Sequence, residues 1–155
     1  MSRAFVKEQE DAETFDTLPD RALSPHPNFV TAEGLAAIEA ELSRAQSEFD
    51  AAQAAGDRAL AAKAARDVRY FTARRANAQV IAPPKKSDRV QFGSTVTIDR
   101  ADGRRQTFRI VGEDEADPAH GTLSHASPLA RALAGKSVGD TVQAGNMEAE
   151  ITAIE

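Results

Sequence analysis

The 155-residue chain has no cysteine and no tryptophan, a single tyrosine, and only 5% aromatic residues. Without cysteine there is no disulfide, thiolate metal site or thiol nucleophile. Few aromatic side chains argue against one large core, so two modest cores are expected. No run approaches 18 uncharged apolar residues, and residues 1–20 carry charges in place of an apolar stretch. Neither a membrane span nor a secretion signal is therefore predicted, and a cytoplasmic protein is expected.

The residues that usually carry chemistry are sparse as well. His26, His120 and His125 are too scattered for a metal cluster, and neither a glycine-rich phosphate loop nor a Ser/His/Asp arrangement is present. The loop 112–118 holds four carboxylates, a donor type that hard cations favour, but it lacks the EF-hand pattern. It is expected to be a solvated loop that meets basic groups on a partner. These residues therefore indicate neither a nucleophile nor a phosphate-binding site.

The distribution of charge says more than the net charge of −5, which opposes a simple DNA-coating role. Residues 31–55 carry one basic and five acidic side chains, whereas residues 57–80 carry six basic and two acidic ones. An acidic segment followed by a basic one is typical of a self-pairing helical hairpin. Most cations of the second segment are expected to pair with acids of the first, here Arg58, Lys63, Arg66 and Arg69 with Glu39, Glu41, Glu48 and Asp50.

Apolar periodicity predicts this hairpin over residues 29–82. Thr31 is a good N-cap, and Gly56 followed by Asp57 can end one helix and start the next. The first arm has an a/d seam typical of a coiled coil, formed by Leu35, Ile38, Leu42, Ala45, Phe49 and Ala52. The face predicted for the second arm is Leu60, Ala64, Val68, Phe71 and Ala78, with the helix ending at 82–84. Arms of about 25 residues would make a rod roughly 37 Å long.

Residues 83–155 are predicted to form a small antiparallel α+β domain. Val90, Phe92, Val96 and Ile98 alternate with polar residues as in a half-buried strand. Asp102-Gly103 predicts a hairpin turn into a strand that ends at Val111. Further strands are expected near 122–125, 141–143 and 148–154, and a short helix over 129–134 with Ser127 at the N-cap and Pro128 at N1.

Several ordered runs of this domain resemble the C-terminal domain of the GreA/GreB transcript-cleavage factors: residues 92–97 (FGSTVT), 108–117 (FRIVGEDEAD), 124–133 (SHASPLARAL) and 135–140 (GKSVGD). Residues 31–35 (TAEGL) and 77–81 (NAQVI) are similar to the start and end of that family's hairpin. The resemblance spans about residues 29–155, and Ala134 departs from it by being smaller than the usual aliphatic residue.

The resemblance implies an FKBP-like fold for residues 83–155 that docks on bacterial RNA polymerase at the rim of its secondary channel. It implies that the hairpin enters this channel, beside nascent RNA, where two acids at the tip share a magnesium ion with the polymerase. The polymerase itself then hydrolyses the RNA, so the resemblance implies a protein that is not an enzyme and has no cofactor of its own. The polymerase-binding residues that the resemblance suggests are Glu115, Asp117, Ser127, Pro128 and Leu129.

The hairpin tip departs from the family pattern Gly-Asp-x-x-Glu. Asp57 follows Gly56 as expected, next to Arg58, but Leu60 stands where the second acid belongs. Each arm is also shorter than usual by roughly two to three turns. Asp57 is therefore a metal-ligand candidate that lacks its partner, and as an alternative it is simply a helix N-cap. Arg58 and its neighbours could then contact the channel walls or RNA phosphate.

Three functions remain open from the sequence. The first is a GreA/GreB-type elongation factor, the second a Gre-like polymerase binder that competes with true cleavage factors without stimulating cleavage. The third is an FKBP-like prolyl isomerase. Such an enzyme lines its pocket with aromatic side chains, whereas residues 83–155 contain only two. Residues 1–28 are predicted to be either a poorly ordered tail or a docking segment that binds through Phe5, Val6, Phe15 and Leu18. A monomer is expected, because the hairpin pairs with itself.

Overall fold

The computed structural model describes residues 18–155, which divide into two compact units. Among the described residues, one unit joins residues 18–25 with Ala37–Asn77, and the other joins His26–Ala36 with Ala78–Glu155. Both ends of the predicted hairpin 29–82 therefore belong to the same unit as residues 83–155. Of the predicted N-terminal tail 1–28, residues 1–17, with Phe5, Val6 and Phe15, lie outside the described residues.

Two helices form the hairpin, α1 (Ala32–Ala55) and α2 (Arg58–Ala76). At a rise of 1.5 Å per residue they are about 36 Å and 28 Å long. The predicted seam of α1 is confirmed, since Ile38, Ala45 and Ala52 are buried and the seam residues between them are half-buried. In α2, Ala64 and Phe71 are buried as predicted.

Leu60 was predicted on the seam, and the structure contradicts this because its side chain is 47% exposed. Leu60 lies in the first turn of α2. Ala62 is the first buried residue of α2. The small side chains at this end of the seam allow the two helices to pack without the leucine.

The helix α2 ends at Ala76, six residues before the predicted end at Ala82. The chain instead forms β2 (Gln79–Val80), which pairs in parallel with β1 (Phe29–Val30) immediately before α1. The amide of Gln79 donates to the carbonyl of Asn28, and that of Ile81 to Val30, each at 2.9 Å. The strand before the hairpin thus supplies hydrogen-bond partners to the strand after it. Helical periodicity alone does not indicate this pairing.

The remaining strands form one five-stranded sheet in the order β5-β4-β3-β7-β6. Their bounds are β3 Thr95–Arg100, β4 Arg105–Val111, β5 Thr122–Ser124, β6 Thr141–Ala144 and β7 Met147–Ile154. A short 3-10 turn (Pro118–His120) precedes β5, and helix α3 (Pro128–Leu133) follows it. Fully buried residues of this core include Val96, Ile98, Leu133 and Ile151. The predicted α+β fold class is confirmed.

Two details of the sheet differ from the prediction. The strand predicted from Val90 begins only at Thr95, because residues 91–94 form a turn in which Gly93 has φ +86° and the Ser94 hydroxyl accepts from the amide of Gln91. In addition, β5 runs parallel to β4. The sheet is therefore mixed, and the loop 112–121 provides the crossover that a parallel pair requires. None of the helices in residues 18–155 has the length and apolarity that a membrane span requires.

Candidate functional site

The hairpin turn is closed by two local motifs that meet at consecutive residues. Gly56, at φ +68°, donates its amide to Gln53, and the Asp57 amide donates to the carbonyl of Ala52. This pattern is a Schellman C-cap, which favours glycine at the left-handed position. Asp57 then caps α2, its Oδ1 accepting from the amide of Leu60 at 3.1 Å. The turn is short because the C-cap of α1 at Gly56 is followed directly by the N-cap of α2 at Asp57.

The predicted role of Asp57 as a helix N-cap is therefore present in the structure, whereas the metal role is not tested by it. One carboxylate oxygen is engaged by the cap, and the neighbouring Arg58 is exposed. Leu60 presents an apolar side chain one turn further on. Within residues 18–155 there is no group of three or more histidines, cysteines or acids that could hold a metal ion.

Among the described residues, the four cations of α2 that were predicted to pair with acids of α1 (Arg58, Lys63, Arg66 and Arg69) form no ion pair with them, so this prediction is wrong. Arg44 of α1 takes up Glu41 and Glu48 of its own helix, at 2.6 and 2.7 Å. Arg69 instead pairs with Asp20, before the hairpin. Within the part of the chain that the structure describes, Arg58, Lys63 and Arg66 form no ion pair, so this arm keeps uncompensated positive charge.

In the acidic loop, Glu115 has a structural role that the sequence did not predict. Its Oε2 accepts from the amides of Thr31 at 3.0 Å and Gly112 at 3.2 Å, and its Oε1 accepts from the Thr31 hydroxyl at 2.5 Å. The Thr31 hydroxyl in turn accepts from the amide of Gly34 at 2.9 Å. A carboxylate at the start of α1 also faces the positive end of the helix dipole. We refer to this set of contacts as the Glu115 clamp.

Glycines make room for the clamp on both sides. A Cβ on Gly34 would lie 1.9 Å from Oε2 of Glu115, and one on Gly112 would lie 2.5 Å from the carbonyl oxygen of Phe29. The second contact involves backbone, which has little freedom to move away. Gly34 and Gly112 are therefore required where the acidic loop meets the start of α1. Both lie in runs that resemble the family, 31–35 and 108–117.

The five predicted polymerase-binding residues are not all brought together. Because β4 and β5 are parallel, with Val111 opposite Ser124, the Glu115 loop and the segment after β5 lie at the same end of this strand pair. Ser127 and Pro128 follow there. Asp117 lies at the opposite end of β5, where its amide donates to the Thr122 hydroxyl at 2.7 Å.

These residues also differ in how accessible they are. Ser127 caps α3 by accepting from the amide of Ala130, and Leu129 packs partly against the core. Pro128 is exposed at the first helical position. Asp117 is exposed, and a hydrogen bond from His120 lowers the pKa of its carboxyl. Of the predicted set, Pro128 and Asp117 are available to a partner, whereas Glu115 is engaged within the chain.

An aromatic cluster that the sequence did not predict lies at the same end as Pro128. The rings of Phe29, Phe92 and His125 form a triangle with centroid separations of 6.0, 5.2 and 5.7 Å. All three side chains are half-buried, so the cluster is partly exposed. Sequence analysis assigned Phe92 to a strand and His125 to the surface. Phe29 could have been noticed only as an aromatic residue two positions before the N-cap Thr31.

Removal of the Glu115 side chain is expected to leave the amides of Thr31 and Gly112 without their acceptor. Glu115→Ala should lower the free energy of unfolding by about 2–4 kcal/mol. Gly34→Ala should also destabilise the protein, because it displaces the clamp. In the Glu115→Ala background the same Gly34→Ala change should become neutral or stabilising, since alanine is the better helix former by about 1 kcal/mol.

Urea denaturation of the four proteins tests this sign reversal, with Glu148→Ala on the exposed face of β7 as a control that should stay within about 0.5 kcal/mol of the unsubstituted chain. Additive effects of Gly34→Ala and Glu115→Ala would contradict the clamp.

The two roles of Asp57 can be separated by a pair of substitutions. Asp57→Ala removes the cap and should cost about 0.5–2 kcal/mol of stability, whereas Asp57→Asn keeps a capping oxygen and should cost much less. Thermal unfolding followed by circular dichroism measures both. An equal loss in the two variants would mean that the charge of Asp57, and not its capping hydrogen bond, stabilises the turn.

Comparison with known proteins found a family match and several similar proteins. Residues 84–155 match the family described as "Transcription elongation factor, GreA/GreB, C-term". The transcription elongation factor GreA of Legionella pneumophila (strain Lens) is 37% identical over 158 residues, covering 86% of this chain and 98% of that protein. GreA of Anaeromyxobacter sp. (strain K) is 48% identical over 85 residues, 51% of each protein. The chain spans about half the length of several curated relatives that it matches.

Among solved structures, GreA factor homolog 1 (Gfh1) of Thermus thermophilus aligns with a TM-score of 0.41 at 19% identity, over 84% of this chain and 99% of that one. A GreA/GreB structure from Nitrosomonas europaea aligns with a TM-score of 0.40 at 16% identity, over 82% and 98%. The family match and the GreA relatives give no support to the prolyl-isomerase alternative.

Proposed function

This chain belongs to the GreA/GreB family of transcription elongation factors, and from that premise we propose that it binds bacterial RNA polymerase at the rim of the secondary channel and regulates transcription elongation. The hairpin is the part that enters the channel, next to nascent RNA. The protein acts as a factor and not as an enzyme, because any cleavage of the transcript is a reaction of the polymerase.

The observation that carries the proposal is the joint presence of two parts. The first is the C-terminal unit, which matches the family over residues 84–155. The second is a helical hairpin closed by the Gly56-Asp57 turn. Because β1 and β2 and the Glu115 clamp tie both ends of the hairpin into the C-terminal unit, docking of that unit would deliver the base of the hairpin to a defined place on the polymerase.

Within the C-terminal unit, we assign the polymerase-facing surface to the C-terminal end of the β4–β5 pair. Exposed Pro128 and the partly exposed rings of Phe29, Phe92 and His125 lie there. Half-exposed aromatic side chains are enriched at protein interfaces, since they bury a large area with few rotatable bonds. Glu115 supports this surface from within, and Asp117 contributes an exposed charge at the other end of β5.

The residues at the tip do not fit an independent magnesium site. Magnesium is usually held by one or two carboxylates together with substrate phosphates. Asp57 supplies one carboxylate, of which Oδ1 already accepts from the Leu60 amide, and Leu60 supplies none. No catalytic step is therefore assigned to a metal held by this chain.

The exposed Leu60 favours a second candidate function, namely polymerase binding without stimulation of cleavage. Such a factor would occupy the channel and compete with true cleavage factors. The Legionella alignment, which extends over more positions than the whole of this chain contains, requires the relative to have additional residues within the matched stretch. A hairpin shorter than the family's, as the resemblance implies, would give a tip that stops short of the catalytic centre.

Polymerase binding is tested by Pro128→Arg, which places a long charged side chain on the assigned surface. The affinity for core polymerase should fall by roughly 10-fold or more, corresponding to about 1.4 kcal/mol or more. Lys136→Ala, an exposed position after α3, is the control and should bind normally. Equal affinities for all three proteins in a fluorescence-anisotropy titration would remove Pro128 from the interface, and absence of binding by the unsubstituted protein would contradict the proposed function.

Cleavage is tested on a backtracked elongation complex with a labelled RNA 3′ end. Leu60→Glu restores the acid of the family pattern and adds a favourable first-turn charge to α2, so it should fold at least as stably. If the missing acid is the limiting defect, Leu60→Glu should release 3′ fragments faster than the unsubstituted chain by about 10-fold or more. Asp57→Asn combined with Leu60→Glu, which keeps the cap, should abolish the gain. No release by any variant, together with inhibition of a true cleavage factor, would establish the second candidate.

A further inference from the structure

A segment that precedes the hairpin lies against its second helix. We call residues 18–25 the strap. The guanidinium of Arg21 lies 3.8 Å from the ring centroid of Tyr70 and 5.3 Å from that of Phe71. Its Nη1 is also 3.0 Å from Oδ1 of Asp67. One side chain of the strap therefore makes both a cation–π contact and an ion pair with α2.

A second anchor is formed by Arg69 of α2. Its Nε donates to Oδ1 of Asp20 at 2.5 Å, and its Nη2 donates to the carbonyl of Leu18 at 3.1 Å. Arg69 was predicted to pair with the acids of α1, but its carboxylate partner comes from the strap. The strap thus neutralises part of the basic arm and covers one face of Tyr70.

Most contacts of the strap are polar and accessible to water, although the Asp67 side chain is only 15% exposed. The side chains of Asp20, Arg69 and Arg21 are 73%, 46% and 39% exposed. Of the two leucines of the strap, Leu18 is half-buried and Leu23 is 50% exposed. Exposed ion pairs contribute little stability and are screened by salt. A cation–π contact at such a site is also modest. The strap is therefore held firmly enough to be ordered, but weakly enough for a competing partner to displace it.

We propose that the strap is an autoinhibitory contact, which covers the Asp67–Tyr70 face of α2 and detaches when the hairpin binds RNA polymerase. The inference rests on the proposed function, because it takes the polymerase as the partner. A protein whose binding-competent form is only a fraction of the population binds with an affinity reduced by that fraction. If the strap is closed in about nine molecules out of ten, its release tightens binding by about tenfold.

The sequence provides a probe at the contact itself. Tyr70 is the only tyrosine of the chain, and there is no tryptophan, so intrinsic fluorescence reports on this one ring. With Arg21 stacked on it, one face of the ring is shielded from a neutral quencher such as acrylamide. Detachment of the strap exposes that face. The docking of the strap can therefore be followed without polymerase and without a label.

The decisive variant is Arg21→Ala in the full chain, with Arg44→Ala as the matched control. Arg44 is similarly exposed and ion-paired, but within α1. Arg21→Ala should raise the acrylamide quenching constant of Tyr70 about twofold and tighten binding to core polymerase by about 5–10-fold. Arg44→Ala should change neither. The charge swap Arg21→Glu with Asp67→Arg restores the ion pair and should return quenching and affinity part of the way to the original values.

The outcomes separate the steps of the inference. An unchanged quenching constant in Arg21→Ala would show that the strap is not docked and would overturn the proposal. Higher quenching with unchanged or weaker polymerase binding would overturn autoinhibition, and weaker binding would make the strap part of the interface. If neither the original chain nor Arg21→Ala bound polymerase at any concentration, the proposed function would fail, and with it the inhibitory role. Binding by Arg21→Ala alone would show that the strap blocks the hairpin completely.

Discussion

The Glu115 clamp is the interaction on which the arrangement of the C-terminal unit depends. The first amides of a helix have no intrahelical acceptor, and here those at the start of α1 are met by one carboxylate, directly and through the Thr31 hydroxyl. Glu115 lies 84 residues further along the chain. The clamp therefore joins the start of the hairpin to the loop that carries the chain from β4 to β5, and it exists only because Gly34 and Gly112 leave room for it.

The parallel pair β1–β2 acts with the clamp. Parallel strands need a long connection, and in this protein the connection is the hairpin itself. As a result the entry to α1 and the exit from α2 are hydrogen-bonded to each other. The same short pair places Phe29 beside Phe92 and His125, so the elements that anchor the hairpin also build the aromatic cluster. The anchoring of the hairpin and the construction of this surface cannot be altered independently.

Features determined by neighbouring residues could be predicted from the sequence. The seam of α1, the Gly56-Asp57 turn, the caps at Thr31, Asp57 and Ser127, and the α+β class all follow from periodicity and capping preferences. The errors arose where distant segments compete for the same residues. Residues 79–80 leave the helix because β1 offers them a strand partner, and Leu60 is exposed because Ala62 takes the first buried position of α2. No local pattern contains either fact.

In the candidate site, too, the features that depend on distant segments could not be predicted from the sequence. Composition correctly marked residues 112–118 as an unusually acidic loop, but it could not distinguish a carboxylate that faces a partner from one that caps a helix 84 residues away. Exposed charges and half-buried charges look alike in a sequence. They differ in the number of donors around them, which only the fold determines. Glu115 meets three donors and is structural, whereas Asp117 meets His120 at the surface and remains available.

The strap and the clamp are built from the same kinds of group, but the strap should open more easily. Both join segments that are distant in sequence through carboxylates. The clamp is half-buried, with three donors converging on one side chain, so opening it leaves backbone amides without partners. The strap is held mainly by exposed groups that water can replace one by one, and only its Asp67 carboxylate is largely buried, so opening it costs less. Local opening should therefore begin at the strap, while the base of the hairpin stays attached to the C-terminal unit. That order is what a factor needs if its hairpin is to be uncovered without losing its anchor.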